Sequence, residues 1–330
     1  MVTGKTKGIR IMLLLTCFVL AVSCTLSETA AAGSLMDWLN TLASPAGQSA
    51  SGEDAEIRAA MKKDGFGYGT KLACYDWTVE KYSYSGAAIP DRMRAASPDE
   101  IGGFIDYHPA DLDASGTPKV TTLRFAFDPE IEYMIGDMGG SFSITTSSLN
   151  TLKNYDIPYT DTKPGGFWDK LWRFFEQARP ILAYLTRLNS GHTPAPGGGN
   201  RMIARDLDSG SYYASYVPRE MVARSDEELG YIMEFSISKV AVQGDYKKIG
   251  KVSGKADKMT YTILDAVSGE AVAGGTIGGE APFVILGYNG NPDNGFDEVL
   301  SPDTVVRELL SRYLDMIGDG KISPDRKDFP

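Results

Sequence analysis

A chain of 330 residues that is 42% hydrophobic and 23% charged has the means to bury a sizeable core, which excludes a disordered or collagenous protein. Its 33 basic and 43 acidic residues leave a formal charge of −10, against a general nucleic-acid binder, since phosphate backbones demand clustered Lys and Arg. Two histidines, His108 and His192, and three cysteines are too few for a histidine-rich metal centre or a disulfide framework.

At the N-terminus Lys5, Lys7 and Arg10 precede an apolar run from Ile11 to Val22, the order of a secretory signal. That run is too short to cross a bilayer, which needs about 20 apolar residues, and no later segment supplies them. The run ends in Leu20-Ala21-Val22-Ser23-Cys24, which resembles a bacterial lipobox, with Ala21 standing where Leu is most usual. The resemblance covers residues 1–24. It implies removal of residues 1–23, acylation of Cys24, and an extracytoplasmic protein held to a bacterial membrane by its lipid. The alternatives are an ordinary signal cut after Ala30-Ala31-Ala32, leaving a secreted protein, and an uncleaved anchor. A chain beginning at Cys24 has 30 basic against 43 acidic residues, or −13, so its attachment to a bilayer rests on acyl chains and not on a polybasic patch. Cys74 is then the one thiol left, expected as a buried small hydrophobe in a strand with Leu72, Ala73, Tyr75 and Trp77.

Residues 24–69 turn to Ala, Ser, Gly and Thr, the composition of a tether. Within it Ser34 is placed to cap a short helix carrying Leu35, Met36, Trp38, Leu39 and Leu42 on one side, and Glu53 to Lys63 reads as another helical piece. Two related units follow, over 70–150 and 201–330. Sliding the chain by 128 positions lays Ile89 to Ile105 over Val217 to Met233, with Pro90/Pro218, Met93/Met221, Ala95/Ala223, Ser97/Ser225, Glu100/Glu228 and Gly102/Gly230 identical. Ser97 and Ser225, each with Glu three residues on, predict a capping box leading into a strand. Thr121 to Ile135 then resembles Thr260 to Ala273 as strand, turn and strand, each closed by a diglycine. The second unit is longer between about Val240 and Asp257, which predicts a loop insertion.

Between the units, residues 151–200 have no counterpart in either. Trp168, Leu171, Trp172 and Phe175 form the apolar stripe of an amphipathic helix that Pro180 should kink or restart, and the Gly/Pro run from Gly191 to Gly199 reads as a flexible linker. After Ser301 and Pro302 a last helix puts Val306, Leu309, Leu310, Tyr313 and Ile317 on one face. The fold expected is α+β: two related antiparallel β-rich units, a helical insert and a C-terminal helix.

Signals for chemistry are sparse. Asn289, Asn291, Asp293 and Asp297 place oxygens at alternate positions as calcium loops do, although the same residues suit an Asn/Gly turn, and the register matches no complete EF-hand. The pairs Asp99/Glu100 and Glu227/Glu228 suggest a glycosidase dyad, but their recurrence in both units favours helix capping. His108 has no nucleophile near it in sequence, and the Gly274-to-Gly279 cluster lacks the Lys-Ser/Thr ending of a phosphate loop. Neither a catalytic residue nor a cofactor is assigned. Trp168, Leu171, Trp172 and Phe175 are the residues picked for partner binding, with the lid of the core as the other reading. The sequence therefore points to a non-enzymatic envelope lipoprotein that binds or scaffolds an unknown protein or envelope component, without nucleic acid. A hydrolase of envelope polymer that uses acidic residues is the alternative.

Overall fold

A run of residues that alternates in burial must expose one face of its strand and cover the other, and both halves of the chain meet that demand by laying a sheet against one shared helix. The computed structural model describes residues 52–138, 141–146, 161–246, 250–282 and 295–318. Helix α1 (Gly52–Ala60) leads into β1 (Lys71–Asp76), β2 (Lys81–Ser83), β3 (Ile101–Tyr107), β4 (Val120–Phe125), β5 (Glu132–Met138) and β6 (Ser141–Thr146). Helix α2 (Phe167–Asn189) follows, then β7 (Arg201–Asp206), β8 (Tyr212–Tyr213), β9 (Leu229–Tyr246), β10 (Gly250–Asp265), β11 (Ala271–Gly278), β12 (Asp297–Glu298) and α3 (Pro302–Gly318). The α+β class is as expected.

The first sheet runs β2-β1-β3-β4-β5-β6 and the second β8-β7-β9-β10-β11, with β12 added beside β10. Neither sheet is purely antiparallel. β1 pairs parallel with β3, and β7 pairs parallel with β9, each with a register shift after its first residue pair, Lys71/Leu72 and Arg201/Met202. A parallel pair needs a crossover, and in both sheets the segment carrying the sequence match is that crossover. Local patterning reveals hairpins but is blind to the strand laid on the far side of β1 or β7, which is why a purely antiparallel sheet was expected.

The two crossovers agree in detail. Met93 N donates to Pro90 O and Met221 N to Pro218 O; Ala95 N donates to Leu72 O and Ala223 N to Met202 O. Glu100 accepts from Ala96 N at 2.8 Å and Glu228 from Arg224 N at 3.0 Å, each one residue before the expected capping serine, and the Ser97 side chain makes no cap bond, so the two copies share a glutamate-to-backbone bond in place of the expected capping box. A Cβ on Gly102 would stand 2.1 Å from Gly69 O, and one on Gly230 would stand 1.7 Å from Gly199 O, so both positions require glycine for close backbone approach. The lengthening of the second unit is no loop. It lies in β9 and β10, which stay paired from Asp265↔Tyr231 out to Gly250↔Tyr246.

Helix α2 lies between the sheets and holds one core in common. Leu171, Phe174, Phe175, Leu182, Tyr184 and Leu185 are buried there with Leu123, Phe125 and Tyr133 of the first sheet and Ile203, Met233 and Phe235 of the second. Phe175 stacks on Phe125 at 5.8 Å between ring centres, and Phe174 meets Tyr133 edge-on at 5.0 Å. Each such ring, fully covered, contributes roughly 1.5–3 kcal/mol. The helix runs through Pro180 as one element, without a restart. Asn189 at its end grips the edge strand β8, accepting from Tyr212 N at 2.8 Å and donating to Tyr212 O at 3.1 Å. Cys74 is buried in β1, accepts from Ala87 N, and has its thiol pushed up to about 12 by burial.

Candidate anion-binding cleft

The aromatic stripe of α2 belongs to the core. Leu171 and Phe175 are wholly buried, while Trp168 and Trp172 are half-buried and pack against the same cluster. Leu171 and Phe175 thus take the lid-of-the-core reading, while Trp168 and Trp172 keep part of their rings at the surface. The helix offers function its polar side, where Arg173 looks across a cleft of about 310 Å³ to the second crossover.

Cations reach this cleft from separate elements: Lys163 from the segment before α2, Arg173 from α2, Arg201 from the start of β7, and Arg219 and Arg224 from the crossover. Their surroundings hold them in place. Arg173 donates to Asp161 at 2.8 and 3.1 Å, and Arg201 donates to Glu220 O at 2.8 Å and Val222 O at 3.3 Å. Arg224 makes a forked pair with Glu228 at 2.7 to 3.0 Å, and Glu228 also lies 3.5 Å from Arg201. Burial alone would raise the Glu228 carboxyl, but Arg224 and then Arg201 outweigh it and hold it below the usual glutamate range. Glu228 therefore stays ionised. Ile181 supplies an apolar wall, and Asp161 and Glu220 are the acids of the lining.

The Gly/Pro run beside the cleft is docked, not free. Asp226 accepts from Tyr184 Oη and pairs with His192 Nε2, both at 2.8 Å, and Gly197 N donates to Asp226 O at 2.7 Å. Burial pushes the Asp226 carboxyl up, yet the bonds from Tyr184, His192 and the Ala195 backbone prevail and hold it below the ordinary aspartate value. Glycine composition, read above as a linker, also suits close packing here: a Cβ on Gly199 would meet Glu228 O at 2.2 Å.

Other sequence candidates are scattered. Glu100 and Glu228 each bond their own crossover, in different sheets, so the imagined dyad is not assembled. His108 Nδ1 accepts from Ala110 N in a local turn. Asp297 lies 2.5 Å from Lys239 Nζ, while Asn289, Asn291 and Asp293 fall outside the described residues, as does Cys24. Among the described residues no group of three His, Cys, Asp or Glu is placed to hold a metal. A second hollow of about 500 Å³ between β11 and α3 is lined by Asp257, Glu280, Glu298 and Glu308, facing Arg312.

The arginine cleft escaped sequence reading because its cations are spread over 62 positions, from Lys163 to Arg224. One signal was available: Arg219 and Arg224 both sit inside the repeated crossover, where the first copy has Asp91 and Ala96. Comparison with protein families, with curated proteins and with solved structures found no match for the chain.

Proposed function

We propose that the chain is an exported bacterial lipoprotein, anchored through an acylated Cys24, whose folded body binds a ligand and does not transform one. The anchor reading rests on the basic residues, the apolar run and the Leu20-to-Cys24 box; no helix among the described residues is long and apolar enough to cross a membrane. What carries binding over hydrolysis is that the acids of the repeat serve their own backbone while the cleft beside them gathers cations. The shared strand order and the matching register shifts support descent of both sheets from one duplicated unit.

Cys24→Ala tests the anchor. The wild type is expected in the membrane fraction, and the variant in the soluble fraction or as an uncut precursor. A soluble wild-type protein beginning near Gly33 overturns the reading in favour of ordinary secretion. Hydrolysis of envelope polymer is the second reading, favoured by the four-carboxylate hollow. It predicts turnover of cell-wall material that is lost in Glu280→Gln, and no turnover by the wild type rejects it.

A further inference from the structure

We infer that a pocket on the face of the first sheet turned away from α2 is a binding site for a neutral sugar ring. This rests on the binding reading above and deepens it by naming the class of ligand. The segment over 61–68 that follows α1, the β4–β5 turn over 126–129, and Phe104 and Arg124 of the sheet line about 350 Å³, the size of a small-ligand pocket. Phe66 stacks on Phe104 with ring centres 6.3 Å apart. Tyr68 stacks on Phe127 at 5.4 Å and stays 41% exposed, so its ring is open to a ligand. Between these rings Gly67 holds φ at +92°, and a Cβ there would stand 2.3 Å from the Ala126 backbone, so glycine lets the segment close on the turn.

The shared backbone plan does not demand these rings. Ala126 N donates to Gly102 O and Ala266 N to Gly230 O, which makes Val267 the counterpart of Phe127 and Leu264 that of Arg124. Shifted by 130 positions, Pro196 and Gly198 stand for Phe66 and Tyr68, and a Cβ on Gly198 would lie 3.9 Å from Val267, at the spot where Tyr68 meets Phe127. The second unit thus keeps the framework and lacks the pocket's rings and its cation. Charge then selects the ligand. Arg124 is forked onto Asp106, and Lys63 is offset by Asp64, so among the described residues the lining holds no net charge for an ionic ligand. A purely hydrocarbon ring would strip water from those polar groups and return no bond. A sugar ring meets both demands: the slightly positive C–H groups of one face lie on the negative face of an aromatic ring, and its hydroxyls replace water at Lys63, Asp64 and the Tyr68 hydroxyl.

Titration calorimetry of the full chain with cellotriose, the N-acetylglucosamine trimer, indole and benzoate is the test. Saturable binding of at least one of the two neutral sugars is expected, at least tenfold tighter than indole or benzoate and little changed by added salt. Phe127→Val and Tyr68→Gly, which install the residues of the second unit, should each weaken it at least fivefold with an unchanged circular-dichroism spectrum. Tyr68→Phe should retain most of the affinity, and Val267→Ala, in the second unit, should leave it unchanged. No saturable binding of either sugar, indole or benzoate bound as tightly as the sugars, or affinity untouched by both Phe127→Val and Tyr68→Gly overturns the inference. Chromatography of the same mixtures separates the pocket from the reading it rests on. A sugar bound and left whole supports both, whereas a sugar bound and cut keeps the pocket and rejects a body that does not transform its ligand. The anchor is read by fractionation alone, so failure of this pocket leaves the Cys24 result standing.

Discussion

The two sheets are built on one plan and depart from it in two places. In the first, β3 and β4 are short and joined by a loop over residues 108–119; in the second, the same pair extends into an arm of two long strands. The second departure is electrostatic. β3 carries Asp106 and β9 carries Glu234 at the equivalent point, facing Tyr75 and Arg205 respectively in the parallel register. In the first sheet the cation comes from β4, where Arg124 forks onto Asp106 at 2.5 and 2.9 Å with both nearly buried; in the second it comes from β7, where Arg205 reaches Glu234 at 3.2 Å near the surface. An acid thus stands on the third strand in from the β2 or β8 edge of both sheets, while the neighbour that neutralises it lies on opposite sides of that strand. The plan constrains backbone and charge balance, not the identity of the partner.

The sharpest way to break that comparison is to remove the acids. Burial works against the charge of Arg124, and Asp106 prevails and pushes the guanidinium's pKa up; with Asp106 gone burial acts alone, but a guanidinium's ordinary pKa lies so far above neutral that Arg124 stays charged. Asp106→Asn should therefore cost about 3–5 kcal/mol, the usual penalty for orphaning a buried ion. Glu234→Gln, in a partly exposed pair, should cost less than about 1 kcal/mol. Urea denaturation of both variants checks this, and equal losses would mean that the two pairs are not distinguished by burial.

The crossover glycines test the part of the plan that is shared. Gly102→Ala and Gly230→Ala each drive a methyl group into backbone oxygen, so each should lose stability at the upper end of about 1–3 kcal/mol. With one core common to both sheets and α2, a single thermal transition should move in either variant. Two separate transitions, or a cost on one side only, would show the sheets to be unlike in build.

A smaller effect than that of the glycines belongs to the clamp of the second unit, where Asp226 stands at the position of Pro98 in the first. An aspartate held below its unfolded value near about 3.9 stabilises the fold above that pH and loses its contribution as pH falls through the depressed folded pKa. Tyr184→Phe removes one donor and should cost about 1 kcal/mol at neutral pH, with the gap to wild type narrowing in acid. Urea midpoints at pH 7 and near pH 3 check the sign; a gap that widens in acid contradicts it.

How much of this was legible follows from the range of each signal. The match from Pro90 to Gly102, the strand-turn-strand segments and the helix stripe through Leu171 and Phe175 are local patterns, and each is present as an element. The parallel strands were missed because their signature sits at another offset: Gly67/Gly197, Gly69/Gly199, Asp76/Asp206 and Tyr82/Tyr212 align at 130, not 128. Those aspartates do the same work, each accepting from the backbone N–H two residues on, in Thr78 and Asp208. The cleft was not legible at all. Its members lie on elements that only the crossover and α2 bring together, and the repeat drew attention to what the copies share, whereas Arg219 and Arg224 are where they differ.

Cys74 gives the molecule a built-in clock. Disulfide reagents are attacked by the thiolate, and this sulfur is sealed inside β1 with its ionisation pushed to about 12. Its labelling at neutral pH therefore waits for β1 to part from the segments that cover Cys74, β2, β3 and the turn at Ala87, and the labelling rate reports those openings. Slowing of that rate by a ligand seated on the far sheet would measure, in units of time, how tightly the two halves are coupled.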